Sequence, residues 1–303
     1  MVEQTLISVV GQTALGKTKL AIALAQYFNT EILSADSRQF YKEMAIGTAV
    51  PSEEELAAIP HHFIQHKSIF DDYSVGDFEK EGLALLGKLF SKRNLVILVG
   101  GSGLYVDAIT KGLDDFPKVS PEIRTELNER LKDEGIEVLQ DELKQKDPLH
   151  FDSIDLKNPH RLIRALEICR GTGKPYSSFL NKNKEARPFK TFTIGLHAER
   201  EIVYKRINAR VDKMINDGLL NEAKELQEHR YLNALNTVGY KELFKYFDKE
   251  WELDFAVSEI KKNTRRFAKR QMTWFKKNEN TLWIDHNYEL NKFLEKLKNL
   301  LNG

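Results

Sequence analysis

The chain has one cysteine, Cys169, among 303 residues. That excludes an intramolecular disulfide framework and fits a reducing compartment. No apolar run approaches the roughly 20 residues needed to span a bilayer, so no membrane partner is expected. Net charge is almost absent: 46 Lys and Arg against 45 Asp and Glu leave +1, which argues against a generally basic nucleic-acid binder. The first residues lack a basic leader or cleavage pattern, and a cytoplasmic location is expected. Internal repeats and low-complexity linkers are missing as well. His61, His62 and His66 lack the Cys or carboxylate spacing of a zinc site.

What is present is 41% hydrophobic residues, enough for one large or two moderate domains, and 30% charged residues. The charge is unevenly spread. Acidic residues crowd 122–142 and basic residues crowd 261–277, so a near-neutral total hides a local basic patch.

Gly11 to Thr18 reads G-Q-T-A-L-G-K-T and follows the apolar run Leu6-Ile7-Ser8-Val9-Val10. This is the pattern of a phosphate-binding loop between a strand and a helix. Its glycines let backbone amides converge on phosphate oxygens, and the helix N-terminus adds positive potential. Gly11, Gln12, Thr13, Ala14, Leu15 and Gly16 form the cradle. Lys17 reaches the outer phosphate as a point charge, and the Thr18 hydroxyl is placed to hold Mg2+. A diphosphate or triphosphate is the expected ligand, ATP being the first to consider.

Strand signals at 6–10, 31–35 and 95–99 alternate with helix signals at 17–27 and 75–90. The order predicts an α/β fold: a P-loop-type parallel sheet with helices on both faces. Ligands of such sheets bind beyond the carboxyl ends of the strands. Three segments stand there: the phosphate loop, Asp36-Ser37, and residues 100–105. The pattern turns helical from about Asp114, with Ser120 as cap and Pro121 at the first helical position. Strand character returns at 189–196 and again at 282–284. The expected organisation is a core of 1–113 and 188–303, interrupted by a helical insertion at 114–187.

Asp36 closes the second strand. It can meet Mg2+ through water, serve as a general base toward an acceptor, or simply form a turn. Residue 100 is Gly where a nucleotide hydrolase would often carry an acid. Gly100-Gly101-Ser102-Gly103 is a second glycine turn, open to a ligand or merely tight. Its missing acid favours a kinase or another transferase over a motor or GTPase. Arg161 and Arg164 share one helix face, to grip phosphates or to pair with Glu167. Arg206 and Arg210 lie one turn apart, to reach phosphates or to pair with Asp212. Residues 261–277 hold eight basic side chains and no acidic one, which favours a polyanion. Ile260, Phe267 and Trp274 recur every seven residues and predict the buried stripe of that helix. Cys169, Trp251 and Trp283 read as packing residues.

These segments, in order along nearly the whole chain, resemble the bacterial tRNA dimethylallyltransferase family, also called tRNA isopentenyltransferases or IPP transferases. The resemblance rests on G-Q-T-A-L-G-K-T, D-S-R-Q-F-Y at 36–41, I-G-T-A at 46–49, P-H-H at 60–62 and Y-S-V at 73–75. It continues with G-G-S-G-L-Y at 100–105, R-L-I-R-A-L-E at 161–167, V-G-Y-K-E at 238–242 and T-R-R-F-A-K-R-Q-M-T-W-F at 264–275. Departures are small: Gln12 and Leu15 stand where the family usually has Pro and Ser, and Ser102 where Thr is common. The zinc-finger extension of eukaryotic relatives is absent.

The resemblance implies transfer of the allyl group of dimethylallyl diphosphate to N6 of adenosine 37 in tRNAs reading codons that begin with U, with release of pyrophosphate. It implies Mg2+ as cofactor and the anticodon stem-loop as partner, and we expect a monomer. Asp36 is implied as the base, with Lys17 and Thr18 on the departing diphosphate; Arg206 and Arg210 are expected to reach the same phosphates. Asp36, Ser37, Arg38, Gln39, Ser102, Arg124, His160, Arg161, Leu162, Ile163 and Arg164 are implied as RNA contacts, the insertion closing over the anticodon loop. Three other readings compete: a small-molecule or nucleoside kinase, a non-catalytic RNA-binding module, and an isopentenyltransferase acting on free adenine nucleotides.

Overall fold

The computed structural model describes residues 3–180 and 186–302. Of the expected insertion, residues 181–185 lie outside the described residues. The chain divides into two compact units, Met1–Lys111 with Arg187–Gly303, and Gly112–Ala186.

The first unit opens with β1 (Thr5–Gly11), α1 (Lys17–Tyr27), β2 (Ile32–Ser34), α2 (Glu53–Ala58), β3 (His61–His62), α3 (Val75–Phe90), β4 (Leu95–Val99) and α4 (Gly103–Thr110). The second unit holds α5 (Pro121–Glu134), α6 (Ile136–Lys146), α7 (Pro148–Phe151) and α8 (Pro159–Thr172). The first then resumes with β5 (Lys190–His197), α9 (Arg200–Asn216), α10 (Leu219–Glu225), α11 (Tyr240–Phe247), α12 (Leu253–Phe275), β6 (Leu282–Asp285) and α13 (Leu290–Asn302).

The sheet is parallel throughout, in the order β3-β2-β4-β1-β5-β6. β1 is central because its run Leu6–Gly11 is buried at every position, as a strand covered on both faces must be. Its alternation divides the core. Ile7 and Val9 face α1, α9 and α13, through Leu20, Leu24, Ile207 and Leu297. Leu6 and Val10 face α3 and α4, through Phe78, Leu86, Val106 and Ile109. A third cluster, built on Tyr240, Leu243 and Ile260, packs α9 to α12 together.

Helix ends follow local chemistry. Ser74 accepts from Asp77 N–H while the Asp77 carboxylate accepts from Ser74 N–H, a reciprocal cap for α3. Ser120 caps α5 ahead of Pro121. Asn158 caps α8 ahead of Pro159, and Gly173 ends it in the left-handed conformation. The second unit buries Leu127, Leu139, Leu143, Leu162, Leu166 and Cys169 in a core of its own. Among the described residues no helix is long and apolar enough to cross a membrane.

Trp283 lies flat against β5, where a Cβ at Gly195 would stand 2.5 Å from Cε3 of its indole. Gly195→Ala should therefore overpack this contact and cost about 1–3 kcal/mol, read as a lower urea midpoint at unchanged slope.

Candidate active site

The carboxyl ends of β1, β2 and β4 open into one cleft of about 680 Å³ in the first unit. The phosphate loop forms one side. Gly16 caps α1 in the left-handed conformation, φ 91°, with no side chain to occupy the first-turn amides. A Cβ there would meet nothing within 4 Å, so glycine is required by its φ rather than by crowding. Gly11 differs: at φ 135° its Cβ would fall 2.5 Å from the Leu196 carbonyl oxygen. Thr13, Ala14, Gly16, Lys17 and Thr18 line the cleft. Leu15 turns inward, 2% exposed, into the core.

Asp36 and Lys17 meet in this cleft. The Lys17 ammonium donates to the Gln12 carbonyl at 2.9 Å. Burial lowers Lys17 to about 8, with Asp36 pulling it back up and Arg210 pushing it down. Burial raises Asp36 above the usual carboxylate range, against the opposing pull of Lys17, the Arg38 N–H and guanidinium, and Arg210. The Arg38 N–H donates to the Asp36 carboxylate at 3.2 Å. Arg210 closes the group by donating to the Thr13 hydroxyl at 3.2 Å, and burial pushes its guanidinium down as well. The result is a half-buried group of two cations and one carboxylate, the carboxylate held as a stronger base than usual.

Ala45, Ile46, Ala49, Val50, Pro51, Leu56 and Met214 give the cleft an apolar wall, bordered by Thr48, Ser52, Glu53 and Glu55. A device not visible in sequence holds it. The amides of Ala45, Ile46 and Gly47 donate to the Glu222 carboxylate at 2.9, 2.8 and 2.9 Å, and the Tyr240 hydroxyl donates to it at 2.6 Å. Gly47 is the one local trace, since its Cβ would stand 2.6 Å from the Tyr240 ring. Gln39 adds to the wall by donating to the carbonyls of Thr48 and Ala49.

Other expected site residues are placed differently. Ser37 lies beside Ser102, its N–H donating to the Ser102 hydroxyl at 3.1 Å. Arg38 is spent on the carbonyls of Asn233 and Ala234. Arg206 is exposed and is not among the residues lining the cleft, whereas Arg210 is. Asp212 pairs with Lys261 rather than with either arginine.

The glycines of the second turn make room for protein neighbours. Cβ atoms at Gly100, Gly101 and Gly103 would strike the Ala35 backbone at 2.6 Å, the Gln271 amide at 2.3 Å and the Trp274 indole at 2.4 Å. Only Gly100 of these also borders the cleft.

On α12 the expected stripe of Ile260, Phe267 and Trp274 is corrected. Phe267 is exposed at 38%, and the buried positions are Ala256, Ile260, Ala268, Gln271 and Phe275. A strict seven-residue spacing drifts about 20° per repeat on a straight helix, so the packed face follows steps of three and four. The basic run also has counter-charges, since Lys261 pairs with Asp212 and Lys262 with Glu259. Arg266, Lys269, Arg270, Lys276 and Lys277 remain exposed.

In the second unit Leu162 and Ile163 are buried at 0% and 4%. Their side chains belong to the core of that unit and are withdrawn from any RNA, because they fall on the packed face of α8. Glu167 accepts from Arg124 at 2.9 and 3.3 Å and from Arg164 at 3.0 Å. Burial pushes Glu167 up, but the two arginines hold it below its usual range. His160 and Arg161 are exposed.

Because Lys17 sits near 8, binding of inorganic pyrophosphate should weaken as pH rises through that value, when the ammonium loses its proton. Titration calorimetry between pH 6.5 and 9.5 should show this weakening, and Lys17→Arg should abolish it.

The family model described as IPP transferase matches residues 39–278. A tRNA dimethylallyltransferase of Christiangramia forsetii is 58% identical over 297 residues, covering 98% of both chains. The tRNA dimethylallyltransferase 1 of Bacteroides fragilis is 50% identical over 94% of each. The crystal structure of the full-length tRNA isopentenylpyrophosphate transferase from Bacillus halodurans superposes with a TM-score of 0.73 at 36% identity, covering 99% of this chain and 96% of that one. A eukaryotic dimethylallyltransferase, described as acting on tRNA, superposes with a TM-score of 0.80 at 27% identity over 93% of this chain and 74% of its own. Likeness of this order, running from the phosphate loop through the insertion to α12, means that the chain belongs to the IPP transferase family.

Proposed function

We propose that this protein transfers the dimethylallyl group of dimethylallyl diphosphate to N6 of adenosine 37 in tRNAs that read codons beginning with U, releasing pyrophosphate. The observation that carries the reading is the single cleft in which a phosphate loop, a raised carboxylate and an apolar wall converge. A kinase would need the loop and an acid, but not a wall suited to five carbons. Membership of the family supports transfer to tRNA over the kinase and free-nucleotide readings.

The chemistry follows from the residues. The bond from the allylic carbon to the diphosphate oxygen breaks, its electron pair leaving with pyrophosphate. The loop amides, Lys17 and Arg210 stabilise that leaving charge. The adenine amine is a weak nucleophile, because its lone pair is delocalised into the ring. As its nitrogen bonds to carbon, Asp36 takes the proton. A carboxylate raised by burial is better matched to that task than one at the ordinary value. The wall held by Glu222 would enclose the apolar tail and keep water from the developing cation.

Mg2+ fits the donor set in part. Thr18 offers a hard oxygen in the cleft, but among the described residues no cluster of three His, Cys, Asp or Glu could cage a metal. Magnesium bound through one hydroxyl and substrate phosphates is the usual arrangement for such a set. Thr18 would hold it, and it would neutralise the leaving diphosphate. Of the residues of the insertion implied as RNA contacts, His160, Arg161 and Arg124 are exposed, Arg124 being already engaged by Glu167.

Purified protein with Mg2+, dimethylallyl diphosphate and unmodified tRNA should yield N6-dimethylallyladenosine on nucleoside digestion. No such nucleoside, with ATP consumed instead, would refute the reading. Asp36→Ala should lower turnover by about 100-fold or more while leaving tRNA affinity within a few fold, since a base acts mainly in the transition state. Arg161→Ala should reduce the salt slope of tRNA binding by about 1; an unchanged slope would place Arg161 off the RNA.

A further inference from the structure

Gln271 is the one strongly polar side chain on the buried face of α12, 5% exposed. Its two amide atoms serve two different loops. Oε1 accepts from the Thr13 N–H of the phosphate loop at 2.9 Å. Nε2 donates to the Gly101 carbonyl of the second glycine turn at 2.9 Å. The amide orientation follows from its partners, because a backbone N–H can only donate and a carbonyl can only accept. Neighbouring turns of the helix repeat the attachment. Gln12 Nε2 donates to the Ala268 carbonyl at 3.2 Å, and the Trp274 indole sits against Gly103 while donating to Asp107 at 3.0 Å.

From Gly101 the path continues to the candidate base. Ser102 follows in sequence, and its hydroxyl accepts from the Ser37 N–H at 3.1 Å. The Ser37 and Ser102 hydroxyls are themselves 3.1 Å apart. Ser37 is the next residue after Asp36, and a Cβ at Gly101 would lie 3.7 Å from the Asp36 carboxylate. Thr13, Gln271, Gly101, Ser102, Ser37 and Asp36 thus form one chain of bonds from the diphosphate end of the cleft to its acceptor end.

We infer that Gln271 is a positioning residue that sets the distance between the phosphate loop and the turn supporting Asp36. It touches neither substrate, as it is not among the residues lining the cleft. The inference rests on the function proposed above. Its physical basis is that a buried amide can satisfy a donor and an acceptor at once, whereas either loop left unpaired would relax toward another arrangement.

Two substitutions separate the bonds. Gln271→Glu keeps an acceptor for Thr13 but offers none of the N–H that Gly101 needs. Gln271→Met keeps the volume and loses both. The full-length variants are first compared with wild type by circular dichroism, so that activity is expressed per folded protein. With dimethylallyl diphosphate and unmodified tRNA, Gln271→Glu should lower kcat by roughly 100-fold, the loss typical of a reacting group misplaced by about 1 Å. Its KM for the diphosphate should stay within about threefold, because the Thr13 bond persists. Gln271→Met should lower kcat similarly and also raise that KM.

Amide hydrogen exchange supplies a readout independent of the reaction. Gln271→Glu should accelerate exchange across residues 99–105 and leave 12–18 unchanged. A kcat within twofold of wild type in both variants would overturn the inference, as would unchanged exchange at 99–105. A wild-type protein that makes no prenylated nucleoside would instead overturn the proposed function, leaving the exchange result to decide the role of Gln271.

Discussion

The cleft depends on one electrostatic constraint: Lys17, Asp36 and Arg210 are half-buried together, and burial works against the charge on each. Two cations and one carboxylate share the site, so their mutual attraction offsets the desolvation only in part. An entering diphosphate acts on the group in opposite ways. Its negative charge fixes Lys17 as an ammonium and raises Asp36 further, since a like charge disfavours ionisation. On the function proposed above, donor binding would therefore favour the charged Lys17 that holds phosphate and raise the basicity of Asp36. As pyrophosphate departs, that bias relaxes.

For such a pair to work, separate segments must be held to fractions of an ångström. The parallel sheet does the coarse placement by bringing the ends of β1, β2 and β4 side by side. Side chains from distant sequence do the fine placement. Glu222 on α10 collects three amides of the apolar wall. Gln271 on α12 joins the two glycine loops. The helical C-terminal part is thereby a clamp on the loops at the carboxyl ends of the strands as well as a basic surface. The glycines of the second turn follow from this arrangement. Their missing side chains admit Ala35, Gln271 and Trp274 rather than a ligand.

How much of this could be read from sequence depends on the range of each interaction. The phosphate loop was legible because strand, turn and helix are local and each leaves its own mark. α1 runs from Lys17 to Tyr27, α3 from Val75 to Phe90 and β4 from Leu95 to Val99, as their patterns predict. Ends of β1, β2, β5 and β6 shift by a residue, which propensity does not fix. Glu222 was not legible, since nothing near it in sequence distinguishes it from other acidic helix residues. Gln271 was hidden for the opposite reason. Its polarity disguises a core position, although it lies three residues after buried Ala268 and four before buried Phe275. Phe267 misled because an apolar residue at a seven-residue interval looks buried whether or not the helix supercoils.

The segment R-L-I-R-A-L-E shows why motif membership does not assign a single role. On α8 its residues divide among faces. Leu162, Ile163, Ala165 and Leu166 fill the core of the helical unit. Arg164 and Glu167 form an ion pair completed from α5 by Arg124. Glu167 thus fixes the guanidinium of Arg164 against that of Arg124. The geometry of both arginines is set by Glu167 rather than by a ligand. Arg161, exposed one turn earlier, has no such tether among the described residues. The two arginines of one motif therefore differ: Arg164 is held rigidly by Glu167, whereas Arg161, on the function proposed above, would be the one to form a new contact.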